Sequence, residues 1–311
     1  MPRHAGMLQL RPTPPSCAPN STFVSLLSNE SWVPGALCLL KAMAAVRSVC
    51  PLLLVVDDVT HRGSQVAVPE TALSTLRSAF GASSVVPLSR LTERIDRYSG
   101  APAAGRRLKA KQAPHPSGWV QNTHGKLLLW ALPGGYQRAC FLDLDMAVVG
   151  NMDALLYEQP FAAVAAMPYS SRLFNSGVFV FEPSVKVASE LATLSRATDS
   201  GTGGKSSSVK IRPAMELRGT THLSDQSVLN HYYRDRWRAL PYGYNAGKKI
   251  YMAKRDLWNQ MQLGAIHFVG RPKPWDVPHV PNPSAALLKS KLDATPLYNR
   301  WHEQCTLPAA H

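Results

Sequence analysis

Strand-like apolar runs alternate with amphipathic helical stretches, which predicts an α/β protein with a mixed, mostly parallel central sheet covered by helices on both faces. Three observations carry this reading. Leu52–Val56 is a continuous apolar run stopped by Asp57-Asp58, as suits a strand buried on both faces. Ala139-Cys140-Phe141-Leu142 is a second such run, ending in Asp143-Leu144-Asp145. Between them lie helical spacings, among them Leu73, Leu76 and Phe80 closed by Gly81.

In chain order, the first strand is Thr22-Phe23-Val24-Ser25-Leu26-Leu27, and Pro34 opens a helix with Leu37, Leu40, Met43 and Ala44 on one face. After the strand at 52–56 come a short helix from Pro69 and a strand over 84–88. Residues 99–118 and 198–220 are rich in Gly, Ser, Pro, Ala and basic residues without apolar periodicity, and read as long surface loops. A helix over 126–132 stops at Gly134-Gly135. The strand at 139–142 resumes over 146–149, and Asn151 caps a short helix carrying Leu155 and Leu156. A buried strand at 177–181, helices at 185–194 and 224–233 (Ser224 as N-cap) and a short strand at 265–268 follow. The organisation expected is a disordered tail over 1–21, one catalytic domain over 22–282 and a helical tail over 283–311.

Composition excludes less than it first suggests. The chain has 311 residues, 45% of them hydrophobic, which rules out wholesale disorder, and no apolar run approaches the ~18–20 residues of a membrane span. The net charge of +14 is spread along the chain. Its densest cluster, Arg106-Arg107 with Lys109 and Lys111, comes without a nucleic-acid-binding signature. A basic surface suits any phosphorylated or polyanionic ligand, so an idle scaffold or polyanion-binding protein stays as an alternative. Five cysteines without metal-type spacing read as reduced thiols, which points to the cytoplasm. The proline-bearing, acid-free N-terminus keeps plastid import as a weaker option.

The chemistry concentrates at strand ends. In an extended segment residues two apart point the same way, so Asp143 and Asp145 can face one point, where they repel unless a cation lies between them. His267 ends another strand and is followed by Gly270, Lys273 and Trp275, a backbone and a cation suited to phosphate. Two carboxylates and an imidazole favour Mn²⁺ over Mg²⁺, with diphosphate oxygens completing the coordination.

Together these residues resemble the family 8 glycosyltransferases of the glycogenin and galactinol synthase type. The resemblance runs from about Thr22 to Trp275 and rests on motifs in the family's order. These are Phe23-Val24-Ser25-Leu26-Leu27-Ser28-Asn29, Gly35-Ala36-Leu37, Lys126-Leu127 with Trp130, Phe141-Leu142-Asp143-Leu144-Asp145 and Asn151-Met152-Asp153. Phe174-Asn175-Ser176-Gly177, Asp225-Gln226, Leu240-Pro241-Tyr242 with Tyr244-Asn245, and His267-Phe268-Val269-Gly270 with Lys273-Pro274-Trp275 complete the set.

The resemblance implies a single Rossmann-like GT-A domain and a retaining, Mn²⁺-dependent hexosyltransferase using UDP-glucose or UDP-galactose. It implies Asp143, Asp145 and His267 as metal ligands, and Leu26, Ser28, Asn29 and Trp32 around the uridine. Gly270 and Lys273 would hold the diphosphate, Lys126 the phosphate or sugar, and Asn175, Asp225 and Gln226 the donor sugar. The acceptor stays open among a tyrosine of the chain itself, inositol and a glycan. Tyr251, sixteen residues before His267, lies close to where glycogenins carry their acceptor, with a packing role as the alternative. An oligomer is compatible with all of this.

Overall fold

The computed structural model describes residues 6–58, 68–100, 124–167, 169–199, 224–281 and 293–306. The two basic, Gly/Ser/Pro-rich stretches expected as loops lie almost wholly outside the described residues.

A seven-stranded mixed sheet forms the centre. Its strands are β1 (Ser21–Leu27), β2 (Leu52–Val56), β3 (Val85–Pro87), β4 (Arg138–Leu142), β6 (Ala162–Ala165), β7 (Phe174–Phe181) and β8 (Arg238–Leu240), in the order β3-β2-β1-β4-β7-β6-β8. The pairs β3–β2, β2–β1, β1–β4 and β6–β8 are parallel, while β7 runs antiparallel to both β4 and β6. A second sheet joins β5 (Met146–Val148), β10 (Ala265–His267) and β9 (Ala246–Gly247) in the order β5-β10-β9.

Helices α1 (Val33–Ala45), α2 (Glu70–Phe80), α3 (Leu88–Tyr98), α4 (Val185–Asp199), α5 (Asp225–Tyr232), α6 (Lys248–Ala253), α7 (Arg255–Gln260) and α8 (Thr295–Thr306) surround the sheets. Buried apolar residues form two clusters. One alternates along β1 with the other, as Phe23 and Leu27 join the first and Val24 the second. The second cluster is aromatic, with Trp130 stacked on Phe179 and Phe161 on Tyr233.

Several expectations need correction. The helix expected over 126–132 starts two residues earlier and is of the 3-10 type, His124–Ala131. Strands β6 and β8 and helices α3, α6 and α7 escaped the sequence reading. The N-terminal tail is not free from residue 6 on. Leu10 N–H donates to Gln262 Oε1 (3.0 Å), Arg11 N–H to the Tyr244 hydroxyl (2.9 Å), and Arg11 pairs with Glu158 (2.9 Å). Met7, Leu8 and Leu10 also pack against the main core cluster, so the segment is held by apolar and polar partners that only the folded domain supplies.

The cysteines are not all reduced thiols. Cys17 is bonded to Cys50 and Cys38 to Cys305, while Cys140 is free and buried. Partners 33 and 267 residues apart leave no local spacing to read. The second bond ties α8 to α1, so the described part of the expected C-terminal tail, residues 293–306, packs on the domain.

Candidate active site

The sheet junction assembles the central cluster. Asp143 and Asp145 occupy the short link between β4, in the large sheet, and β5, in the small one. Asp143 N–H donates to Gly177 O on β7 (2.9 Å), and Asp145 O accepts from Phe268 N–H just beyond β10 (2.9 Å). Met146 pairs antiparallel with His267, which brings the imidazole to the carboxylates. One ligand atom from each of Asp143, Asp145 and His267 lies within 4.8 Å of the others. His267 Nε2 is 3.2 Å from Asp145 Oδ1 and 3.5 Å from Asp143 Oδ2.

Two lysines neutralise the acids. Lys126 Nζ is 3.0 Å from Asp143 Oδ1 and 3.2 Å from Asp225 Oδ2, and donates to Ser176 O. Lys273 Nζ is 2.5 Å from Asp145 Oδ2 and stands 4.8 Å from the centre of the Trp32 ring. Burial pulls the Lys126 ammonium down, but Asp143 and Asp225 together hold it above its ordinary value. Burial raises the Asp143 carboxyl against the pull of Lys126, and its net position is above the ordinary range. For Asp145 burial also raises, yet His267 and Lys273 outweigh it and hold the carboxyl below that range.

This donor set fits a divalent cation. Two carboxylates and an imidazole, all buried or half-buried and converging on one point, are oxygen and nitrogen donors of the kind a hard or borderline cation takes. Gly270, with φ +87°, supplies a left-handed turn between His267 and Lys273 that a side chain would strain.

Next to Lys126, Ser224 caps α5 and Asp225 in its first turn accepts from Ser176 Oγ (2.8 Å). Gln226 Oε1 accepts from Asn175 Nδ2 (2.9 Å) and Ser176 N–H (3.2 Å). Lys126, Asn175, Asp225 and Gln226 therefore stand together beside the Asp143–Asp145–His267 cluster. Asn175 is engaged at both ends of its amide, since its Oδ1 takes Gly177 N–H (2.9 Å) and Asn245 Nδ2 (2.8 Å).

At the other side, Leu26 borders Gly125 next to Lys126, Ser28 is half-buried, and Asn29 caps the turn that leads to Trp32. Trp32 meets Trp275 edge-on at 5.3 Å between ring centres. Tyr251 stands apart: it is 8% exposed, edge-on to Trp258, with the Arg255 guanidinium 3.4 Å from its ring centre. That arrangement favours its packing role.

Asn245 and Ser176 are site residues to which sequence reasoning gave no role. Both lie inside motifs the sequence displays, but neither has a charge or spacing that marks it.

No protein-family model matches the chain. Human glycogenin-2 is 31% identical over 169 residues, covering 52% of this chain and 29% of that protein. Tomato galactinol synthase 1 is 24% identical over 285 residues, covering 84% of this chain and 74% of that protein. The chain thus spans less than half the length of the glycogenins it matches. The solved glycosyltransferase GlyE of Streptococcus pneumoniae superposes with a TM-score of 0.56 at 15% identity, over 93% of this chain and 61% of that one. The fold is that of the GT-A glycosyltransferases. In sequence the chain is family 8-like, similar to glycogenins and galactinol synthase.

Proposed function

We propose that the chain is a retaining, Mn²⁺-dependent hexosyltransferase that moves glucose or galactose from a UDP-sugar to an acceptor hydroxyl. The observation that carries this reading is the meeting of Asp143, Asp145 and His267 at one point with Lys126 and Lys273 on the two carboxylates. When bound, the ion would be held by Asp143, Asp145 and His267 and would offset the negative charge that develops on the departing diphosphate.

The chain's own groups do the rest. Lys273, next to the glycine turn, is placed to follow phosphate once Asp145 is engaged elsewhere. Lys126 can exchange its contact with Asp143 for the donor while keeping Asp225. The sugar passes through an oxocarbenium-like state, which the buried Asp225 carboxylate can stabilise. The C1–O bond to the diphosphate breaks, UDP departs with the electron pair, and the acceptor oxygen forms the new C1–O bond as its proton passes to a phosphate oxygen of the departing UDP. Trp32 offers a ring for the uracil.

Glycogenin-like glucose transfer is the main reading. The long galactinol synthase match supports galactose transfer to inositol as the second. No described helix is long and apolar enough to cross a membrane. The two disulfides favour an oxidising compartment over the cytoplasm expected from composition.

The test is incubation with Mn²⁺ and either UDP-glucose or UDP-galactose, reading released UDP and intact mass together. UDP release with one donor supports the reading, and a hexose ladder on the protein adds self-glycosylation. Tyr251→Phe should leave any ladder in place. No UDP release with either donor, alone or with inositol or short glucans added, contradicts the assignment.

A further inference from the structure

A chain of amide hydrogen bonds runs from α5 to the metal cluster, and its direction is fixed by the backbone. A backbone N–H can only donate. Gly177 N–H points at Asn175 Oδ1 (2.9 Å), so that atom must be the oxygen. Ser176 N–H likewise fixes Gln226 Oε1 as oxygen (3.2 Å) and therefore Asn175 Nδ2 as its second donor (2.9 Å). Asn175 Oδ1 also contacts the Asn245 amide at 2.8 Å, and two oxygens cannot share that contact, so Asn245 must turn its NH₂ that way. Its Oδ1 then faces His267 Nδ1 at 2.8 Å. An oxygen acceptor there requires a proton on Nδ1.

We propose that Asn245, oriented by Asn175 and the backbone of β7, is a positioning residue that holds His267 as the Nδ1–H tautomer and turns its Nε2 lone pair to a divalent cation between Asp143 and Asp145. The opposite tautomer would set a ring lone pair against the Asn245 oxygen and aim an N–H at the cation. Asn245 is 6% exposed and His267 3%, so water does not readily substitute for the amide. Gly177 completes the mould: a Cβ there would lie 2.3 Å from His267 Cε1, so the ring rests directly on the β7 backbone. A hydrogen-bonded second partner that fixes the tautomer of a ligating histidine is worth about 10–100-fold in metal affinity. The same chain fixes Gln226, whose Oε1 is occupied by Asn175 and Ser176, with its Nε2 the end available to a ligand.

The proposal rests on reading the triad as a metal site, and the test separates the two. Mn²⁺ binding in the presence of UDP is followed by the loss of the free-ion paramagnetic resonance signal. It is measured for wild type, Asn245→Ala and Asn245→Asp, with thermal melts alongside. Asn245→Ala should lose about 10–100-fold in Mn²⁺ affinity. Asn245→Asp, which keeps an oxygen acceptor for Nδ1–H but sets a second oxygen against Asn175 Oδ1, should recover only part of that loss.

In metal-free wild-type protein, ¹⁵N resonances of His267, assigned by their absence in His267→Gln, should show a proton on Nδ1 facing the Asn245 oxygen. That reading needs no asparagine variant to fold. An Nε2–H tautomer in wild type, or unchanged Mn²⁺ affinity in folded Asn245→Ala, overturns the proposal alone. Absence of Mn²⁺ binding by wild type overturns the metal reading and the proposal with it.

Discussion

Gly177→Ala is a one-methyl perturbation aimed at the metal cluster. Gly177 lies in β7 with extended backbone, so alanine brings no conformational strain. Its Cβ would instead sit 2.3 Å from His267 Cε1, 2.6 Å from Nδ1 and 2.8 Å from Asn175 Oδ1. Carbon contacts relax to about 3.5–4.0 Å, so the imidazole must retreat by more than ~1 Å. That retreat breaks the 2.8 Å bond to Asn245 and carries Nε2 away from the carboxylates. Metal ligands tolerate only about 0.2 Å of displacement, so the ion loses its one nitrogen.

The expected outcome is a stability loss of about 1–3 kcal/mol from overpacking and at least a tenfold loss of Mn²⁺ affinity, about 1.4 kcal/mol. Thermal melting and Mn²⁺ titration read the two effects separately. Gly247→Ala is the control: it pairs with His267 across β9–β10, yet a Cβ there meets nothing within 4 Å. Wild-type Mn²⁺ affinity in a cooperatively melting Gly177→Ala protein would refute the reasoning.

Other consequences follow from the same contacts. Lys126→Met leaves the Asp143 and Asp225 carboxylates without their shared cation and should cost about 3–5 kcal/mol in denaturant unfolding, with UDP release lost. Asp145 sits below its ordinary carboxyl range when folded, so its contribution is present above about pH 3.9 and fades as pH falls below it. Melts of metal-free protein should show that acid loss, and Asp145→Asn should flatten it. Reducing both disulfides removes loops closed over 33 and 267 residues, together worth several kcal/mol by chain entropy, so a reductant should lower the melting temperature markedly. Non-reducing mass analysis should find four of the five cysteines oxidised; a fully reduced protein would contradict both bonds.

Sequence reached the central sheet because β1, β2, β4 and β7 are buried enough to read as apolar runs, and it reached the acids because they end one of them. It missed β6, whose Ala162-Ala163-Val164-Ala165 is too small-chained to stand out. It missed α3, whose buried Leu88, Leu91 and Ile95 are separated by charged residues in a short segment. The clustered Asp143, Asp145 and His267 and the two lysines beside them were legible as candidates from residue type and motif. Asn245 was not, because an amide acquires its role only from the partners that folding brings to it, 70 residues away at Asn175 and 22 at His267. The disulfides were hidden for the same reason.

The most direct test of the account is calorimetric titration of the metal-free wild-type protein with UDP, without and then with Mn²⁺. The account predicts that UDP binds tightly only when Mn²⁺ is present, and that His267→Ala and Asp145→Ala abolish that dependence along with the binding. Equal UDP affinity with and without the ion, or a Mn²⁺ requirement that survives loss of either ligand, would contradict it.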